Sequence, residues 1–222
     1  MDWRKSMMAV ASKLSSIAVI VITFILGFAF FYQISNLPKA QKKHHMEEMA
    51  SQLINFFIFL WIGKIVLNLS VFVQDPLAIL AYPSNSYAFY FAFFACAVTF
   101  VYKSKRKNRN IFSYMDSFMI TILVASFVYE FIQLVWVNDT FSIGYMILLS
   151  VLLLFVLLIR DRIATNTLTL IVLVIWLIGI LLLAFIQPYV TIFGYIIAPW
   201  FLSLLLAICL IAIVINLRKR VS

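Results

Sequence analysis

Charge is what this sequence has least of. Charged residues make up 11% of 222, against 65% hydrophobic, and mean hydropathy is +1.09. A soluble domain is about a quarter charged and about half apolar, so a water-soluble globule of this size could not hide so much apolar surface. Glycine is scarce as well, at five residues, which leaves little for loops that cradle phosphate, and no HExxH, GxSxG, P-loop or GxGxxG pattern occurs. The two histidines, His44 and His45, are adjacent and lie outside the apolar runs. That removes the usual proton-transfer residue from membrane depth. Adjacent residues also diverge on a helix and make a poor metal pair, so both read as solvated loop residues. The two cysteines, Cys96 and Cys209, sit inside apolar runs without CxxC spacing and read as small buried hydrophobes. No cofactor, metal or catalytic residue is implied, and the expectation leans away from an enzyme.

What is there is a series of long apolar runs, at about 14–34, 53–73, 87–102, 114–137, 141–159, 168–187 and 191–217. Crossing a hydrocarbon layer of about 30 Å takes roughly 20 apolar residues. The prediction is therefore an all-α, polytopic transmembrane helical bundle of about seven spans, forming one integral membrane domain. The first run follows a basic start and so resembles a secretory signal, but it is too long for one and no small-residue cleavage site follows; a retained helix is expected. The polar stretch KAQKKHHMEEM at 39–49 separates the first two runs. The stretch QDPLAILAYPSNS at 74–86 is rich in turn formers, and its apolar LAIL is too short to span, so 77–86 is expected to lie at the interface or to re-enter. Connectors VNDT, RDRIATN and QPYV predict tight helical hairpins, with a kink at Pro199 in the last helix. No internal repeat of the kind transporters carry is evident.

A net charge of +9 would suggest nucleic acid in a soluble protein, but here the cations lie almost wholly in loops and ends. Anionic headgroups at the cytoplasmic face are the partners this implies, not nucleic acid. Lys103, Lys105, Arg106, Lys107 and Arg109 form the basic stretch KSKRKNRN. If it is cytoplasmic, so are Lys39, Lys42, Lys43, Arg160, Arg162 and the terminal Arg218, Lys219 and Arg220, against Arg4, Lys5 and Lys13 on the other side. A plasma-membrane protein with amino terminus outside and carboxyl terminus cytoplasmic is expected. Tyr82, Tyr87 and Trp136 are then placed for the outer aromatic belt and Tyr102 for the inner one.

Ionisable groups at membrane depth need a reason. Lys64 and Glu130 fall about nine and about seven residues from the outer ends of their helices, so their depths differ by about 3 Å. Asn68 lies four residues after Lys64, and Ser126 and Gln133 lie four before and three after Glu130, spacings that make helix neighbours. Two readings follow: an ion pair locking two helices, or a polar pocket opening to the outer leaflet. Asp116, near the inner start of its helix, reads as a dipole partner or tether to the basic loop.

The order of features from 75 to 136 resembles the amino-terminal part of the prolipoprotein diacylglyceryl transferases: Asp75-Pro76, the aromatic run 87–102, the basic loop 103–109, then a helix beginning near Asp116. Where that family carries Gly-Ala/Gly-Arg-x-Gly-Tyr, this chain reads SFVYEF at 126–131, and the family's later signature and its essential His and Arg have no counterpart. The resemblance implies a related lipid-binding helical scaffold without the transferase chemistry. The functional expectation is a non-enzymatic accessory, or a lipid- or partner-binding component, of a bacterial-type membrane. A small transporter using a polar path at Lys64 and Glu130 is the alternative, and a lipid-modifying transferase the second.

Overall fold

In lipid no water is present to satisfy backbone N–H and C=O groups, so apolar runs of this length fold as helices. The structure, a computed structural model, describes the backbone over 3–221 apart from 77–78, 80–84 and 108–110. It describes side chains over 17–214 apart from those residues and 105–112. The helices are α1 (Trp3–Ile34), α2 (Lys39–Leu67), α3 (Leu69–Gln74), α4 (Ser86–Lys107), α5 (Ile111–Ile132), α6 (Ser142–Ile159), α7 (Thr165–Ile186) and α8 (Pro199–Val221). Among the described residues six are long and apolar enough to cross a membrane, while the apolar described part of α8, Pro199–Val214, is shorter. The protein is a multi-pass, all-α membrane-spanning bundle. Side chains such as Phe185 and Ile186, 76% and 79% exposed, are tolerable on its outside because the solvent there is lipid.

The hub is α5. It packs along α1, α6 and α7, and half of its apolar window is buried, the largest share of any span. Its contact with α1 is close: a Cβ added at Gly27 would come within 2.7 Å of the Thr121 carbonyl oxygen and 3.4 Å of Ala125 Cβ. Small residues let membrane helices approach this way when there is no hydrophobic drive between them. α2 pairs mainly with α4, and α7 with α6 and α8. The Trp136 end and the Lys103 end are convenient names for the two ends of the bundle.

Three sequence expectations are corrected. The stretch 39–49 is not a loop: α2 begins at Lys39 behind Pro38 and runs unbroken to Leu67, because Lys, Gln, Glu, Met and Ala are all good helix formers. His45 is accordingly half-buried rather than a solvated loop residue, with Nδ1 2.8 Å from Ser117 Oγ and its ring edge-on to Tyr114. His44 does stay at the surface, 3.5 Å from Glu48. The second run also does not reach residue 73 as one helix, since Asn68 (φ −130°, ψ 43°) breaks it and turns its Nδ2 back onto the Lys64 carbonyl at 2.9 Å. The third correction is the largest. The 191–217 run is not one kinked helix: Thr191–Ile192 and Tyr195–Ile196 pair as an antiparallel hairpin, β1 and β2, and Pro199 is the first residue of α8, a position that needs no N–H and suits the fixed φ of proline.

The hairpin turn carries two left-handed residues, Phe193 (φ 50°) and Gly194 (φ 82°), the arrangement that matches the twist of paired strands. Phe193 stacks on Phe24 of α1 (5.1 Å) and meets Tyr129 of α5 edge-on (5.5 Å), and Tyr195 packs on Phe89 of α4 (5.1 Å). Counted along α5, Tyr129 lies about 10 Å below Trp136, so the turn is inserted between helices. Irregular backbone at such depth persists where protein covers it. Here Tyr90 supplies that cover: its hydroxyl accepts the Ala198 N–H at 2.8 Å, donates to the Ile196 carbonyl at 3.4 Å, and its ring stacks on Phe201 at 4.2 Å.

Candidate functional site: a buried oxygen cluster between two antiparallel helices

Lys64 and Glu130 are both buried, at 6% and 2% exposure, yet they face different neighbours. Lys64 Nζ sits 5.6 Å from the ring centroid of Trp61, one turn back on α2, while the adjacent Gly63 packs against Ala88 and Phe91 of α4. Lys64 is not among the groups acting on the Glu130 carboxyl, whose polar neighbours are Ser142 and Asp139. Asn68 is occupied as the cap of α2. The two halves of the expected cluster are therefore not brought together, because α2 meets α5 at few points.

The Glu130 half is built more fully than its own helix reveals. Ser126 and Glu130 share one face of α5, and the short 138–141 connector forces α6 to return antiparallel beside it. Ser142 and Tyr145, three apart on α6, then meet that face in register, the Ser142 hydroxyl near the Glu130 carboxyl group and the Tyr145 hydroxyl near Ser126. Trp176 Nε1 of α7 donates to Tyr145 Oη at 3.2 Å. All four are buried: Ser126 2%, Glu130 2%, Ser142 4% and Tyr145 2% exposed. Even so, Glu130 Oε1 and Ser126 Oγ are left without a hydrogen-bond partner. Gln133 stands one turn on, half-buried and near the Tyr129 hydroxyl, at the start of the π-helical turn Gln133–Val137. That turn closes at Asn138 (φ 57°), whose N–H returns to the Gln133 carbonyl.

Ser142 is also the first residue of α6, a helix whose N-cap, Phe141, offers no side-chain bond and whose first turn holds no acid. Glu130 supplies that negative charge from the neighbouring helix. An acid at a helix N-terminus gains about 0.3–1 kcal/mol, up to about 2 in buried geometry, whereas an acid at membrane depth costs roughly 2.5–3.5 kcal/mol on insertion scales. The dipole offsets part of the cost of Glu130 and leaves a remainder. Ser142, Tyr145 and Trp176 were not singled out from the sequence; the signal for the first two is the short connector together with matching antiparallel offsets from it.

At the Lys103 end, Asp116 does not cap α5. It accepts from Thr169 Oγ1 of α7 at 3.5 Å and faces Arg160 at the end of α6, so it ties three helices where a dipole partner was expected. Lys103 is exposed at the surface, whereas the side chains of Lys105, Arg106 and Lys107, all of Arg109, and Tyr82 lie outside the described residues, as does 77–86 apart from Ile79, Asn85 and Ser86. Tyr87, Tyr102 and Trp136 are 63%, 66% and 71% exposed, as belt residues must be. Among the described residues no three His, Cys, Asp or Glu side chains converge as metal ligands. No family model, no curated protein and no solved structure matches the chain.

Proposed function

We propose that the protein is a non-enzymatic component of a bacterial-type plasma membrane that binds lipid, or a membrane-protein partner, on its outer surface, with its amino terminus outside and carboxyl terminus cytoplasmic. The observation that carries this reading is the separation of the polar side chains a transport path would need: Asn68 turns back onto the Lys64 carbonyl of α2, while Ser126 and Glu130 turn toward α6. What remains for recognition is an apolar lipid-facing wall and the exposed cations Lys39, Lys43 and Lys103 at one end. Each such cation near an anionic surface contributes about 1 kcal/mol. A lipid-binding scaffold is also what the resemblance to the diacylglyceryl transferases implies.

Native mass spectrometry of the protein extracted from membranes tests this. Anionic lipid is expected to co-purify and to decline in the K39Q/K43Q/K103Q variant. Transferase or hydrolase turnover on lipid substrates, abolished by Glu130→Gln, would overturn it in favour of the enzyme. The transporter reading is favoured by the two unpartnered oxygens at Glu130 and Ser126, and it predicts flux into liposomes that disappears with Glu130→Gln.

A further inference from the structure

We propose that Ser126, Glu130, Ser142 and Tyr145 form a binding site for one monovalent alkali cation between α5 and α6. Two oxygens come from each helix at spacings that put them on one face, four apart on α5 and three apart on α6, and the antiparallel register sets the pairs opposite one another. Glu130 Oε1 and Ser126 Oγ are unpartnered in a site whose members are all at least nine-tenths buried. A buried polar atom without a partner calls for one, an ordered water or an ion; here two such atoms lie four residues apart on one helix face beside a carboxyl group, and the chemistry of the set says which. All four donors are oxygen, which suits hard cations and not thiolate- or imidazole-seeking metals. The set carries a single carboxylate, and the other charged group acting on it is Asp139, a second acid; the further titratable groups facing it are Tyr129 and Tyr145. α7 brings no ionisable side chain, the described part of α1 brings only Tyr32 at the far end, and Lys64 of α2 is not among the charges acting on Glu130. One negative charge calls for one positive charge, a cation or a proton, and a divalent ion would leave an excess; a proton neutralises the carboxyl but brings no partner to Ser126 Oγ. The N-terminus of α6 supplies about half a charge and no ligand for Ser126. A water molecule would supply hydrogen bonds and no charge.

The site is distinct from the lipid-facing wall and from the cations on which the proposed function rests, so either can fail alone. The test uses the full chain in lipid nanodiscs at constant ionic strength, with radioactive sodium as the probe. One Na⁺ per chain is expected, displaced by Li⁺, with affinity about tenfold or more weaker in Glu130→Gln and also reduced in Ser126→Ala, which leaves the carboxyl in place if the first variant does not fold. Folded wild-type protein without saturable Na⁺ binding, or binding that Glu130→Gln leaves unchanged, overturns the proposal. A second readout is carbodiimide modification of Glu130 followed by mass spectrometry. Retardation by Na⁺ supports the site; modification indifferent to Na⁺ means the cluster holds water or a proton only, and overturns it.

Discussion

Tyr90 concentrates at one side chain the problem of placing irregular backbone inside a bundle. Its hydroxyl serves both the Ala198 N–H and the Ile196 carbonyl, and removing it strands a donor with nothing to replace it. Tyr90→Phe keeps the ring stack on Phe201 and is expected to cost about 1–3 kcal/mol, read as a lower midpoint in denaturant unfolding from mixed micelles. Gly194 is constrained twice over, by φ 82° and by a Cβ position 2.8 Å from Tyr129 Oη. Gly194→Ala should cost about 1–3 kcal/mol and raise accessibility of the hairpin to water-soluble reagents. Neither residue announces itself in the sequence, because a tyrosine in an aromatic-heavy run and one glycine among five read as generic until a partner 108 positions away is known.

Helices one and five depend on Gly27. A methyl group there would sit 2.7 Å from a backbone carbonyl that cannot rotate away, so the helices must separate. Gly27→Leu is expected to destabilise by at least the about 1–3 kcal/mol typical of overpacking, with Gly27→Ala intermediate, in a thermal-shift assay on detergent-solubilised protein. Lys64 and Glu130 give the opposite expectation for a pair of elements. Because α2 meets α5 at few points and Glu130 turns to α6, the losses from Lys64→Gln and Glu130→Gln should add within about 0.3–0.5 kcal/mol in a double-mutant cycle; a larger coupling would mean that they meet. Depth along a helix is readable from a sequence, which is why the two were expected at similar heights. Azimuth is not readable when a helix is apolar all round, which is why the partner of Glu130 proved to be Ser142 and not Lys64.

For the whole molecule, the proposed orientation rests on where the cations lie. Cysteine tagging in a background lacking Cys96 and Cys209 is expected to find positions in 105–110 accessible from the cytoplasmic side and Asn138 accessible from the other; the reverse result would invert the bundle. The sequence by itself determined that the chain is a multi-pass helical membrane protein and roughly where each helix lies, because the drive to remove apolar side chains from water and to satisfy backbone groups internally acts on local composition and length. It could not find the hairpin at 191–196, since two-residue strands made of Thr, Ile and Tyr are as apolar as the helix that follows them. Tertiary structure alone decided which face of α5 meets α6, and with it the gathering of three hydroxyls around a single carboxylate. The physical reason is that in lipid every helix face is equally apolar, so close packing, register and hydrogen bonds between helices choose neighbours, and none of these is a property of one segment.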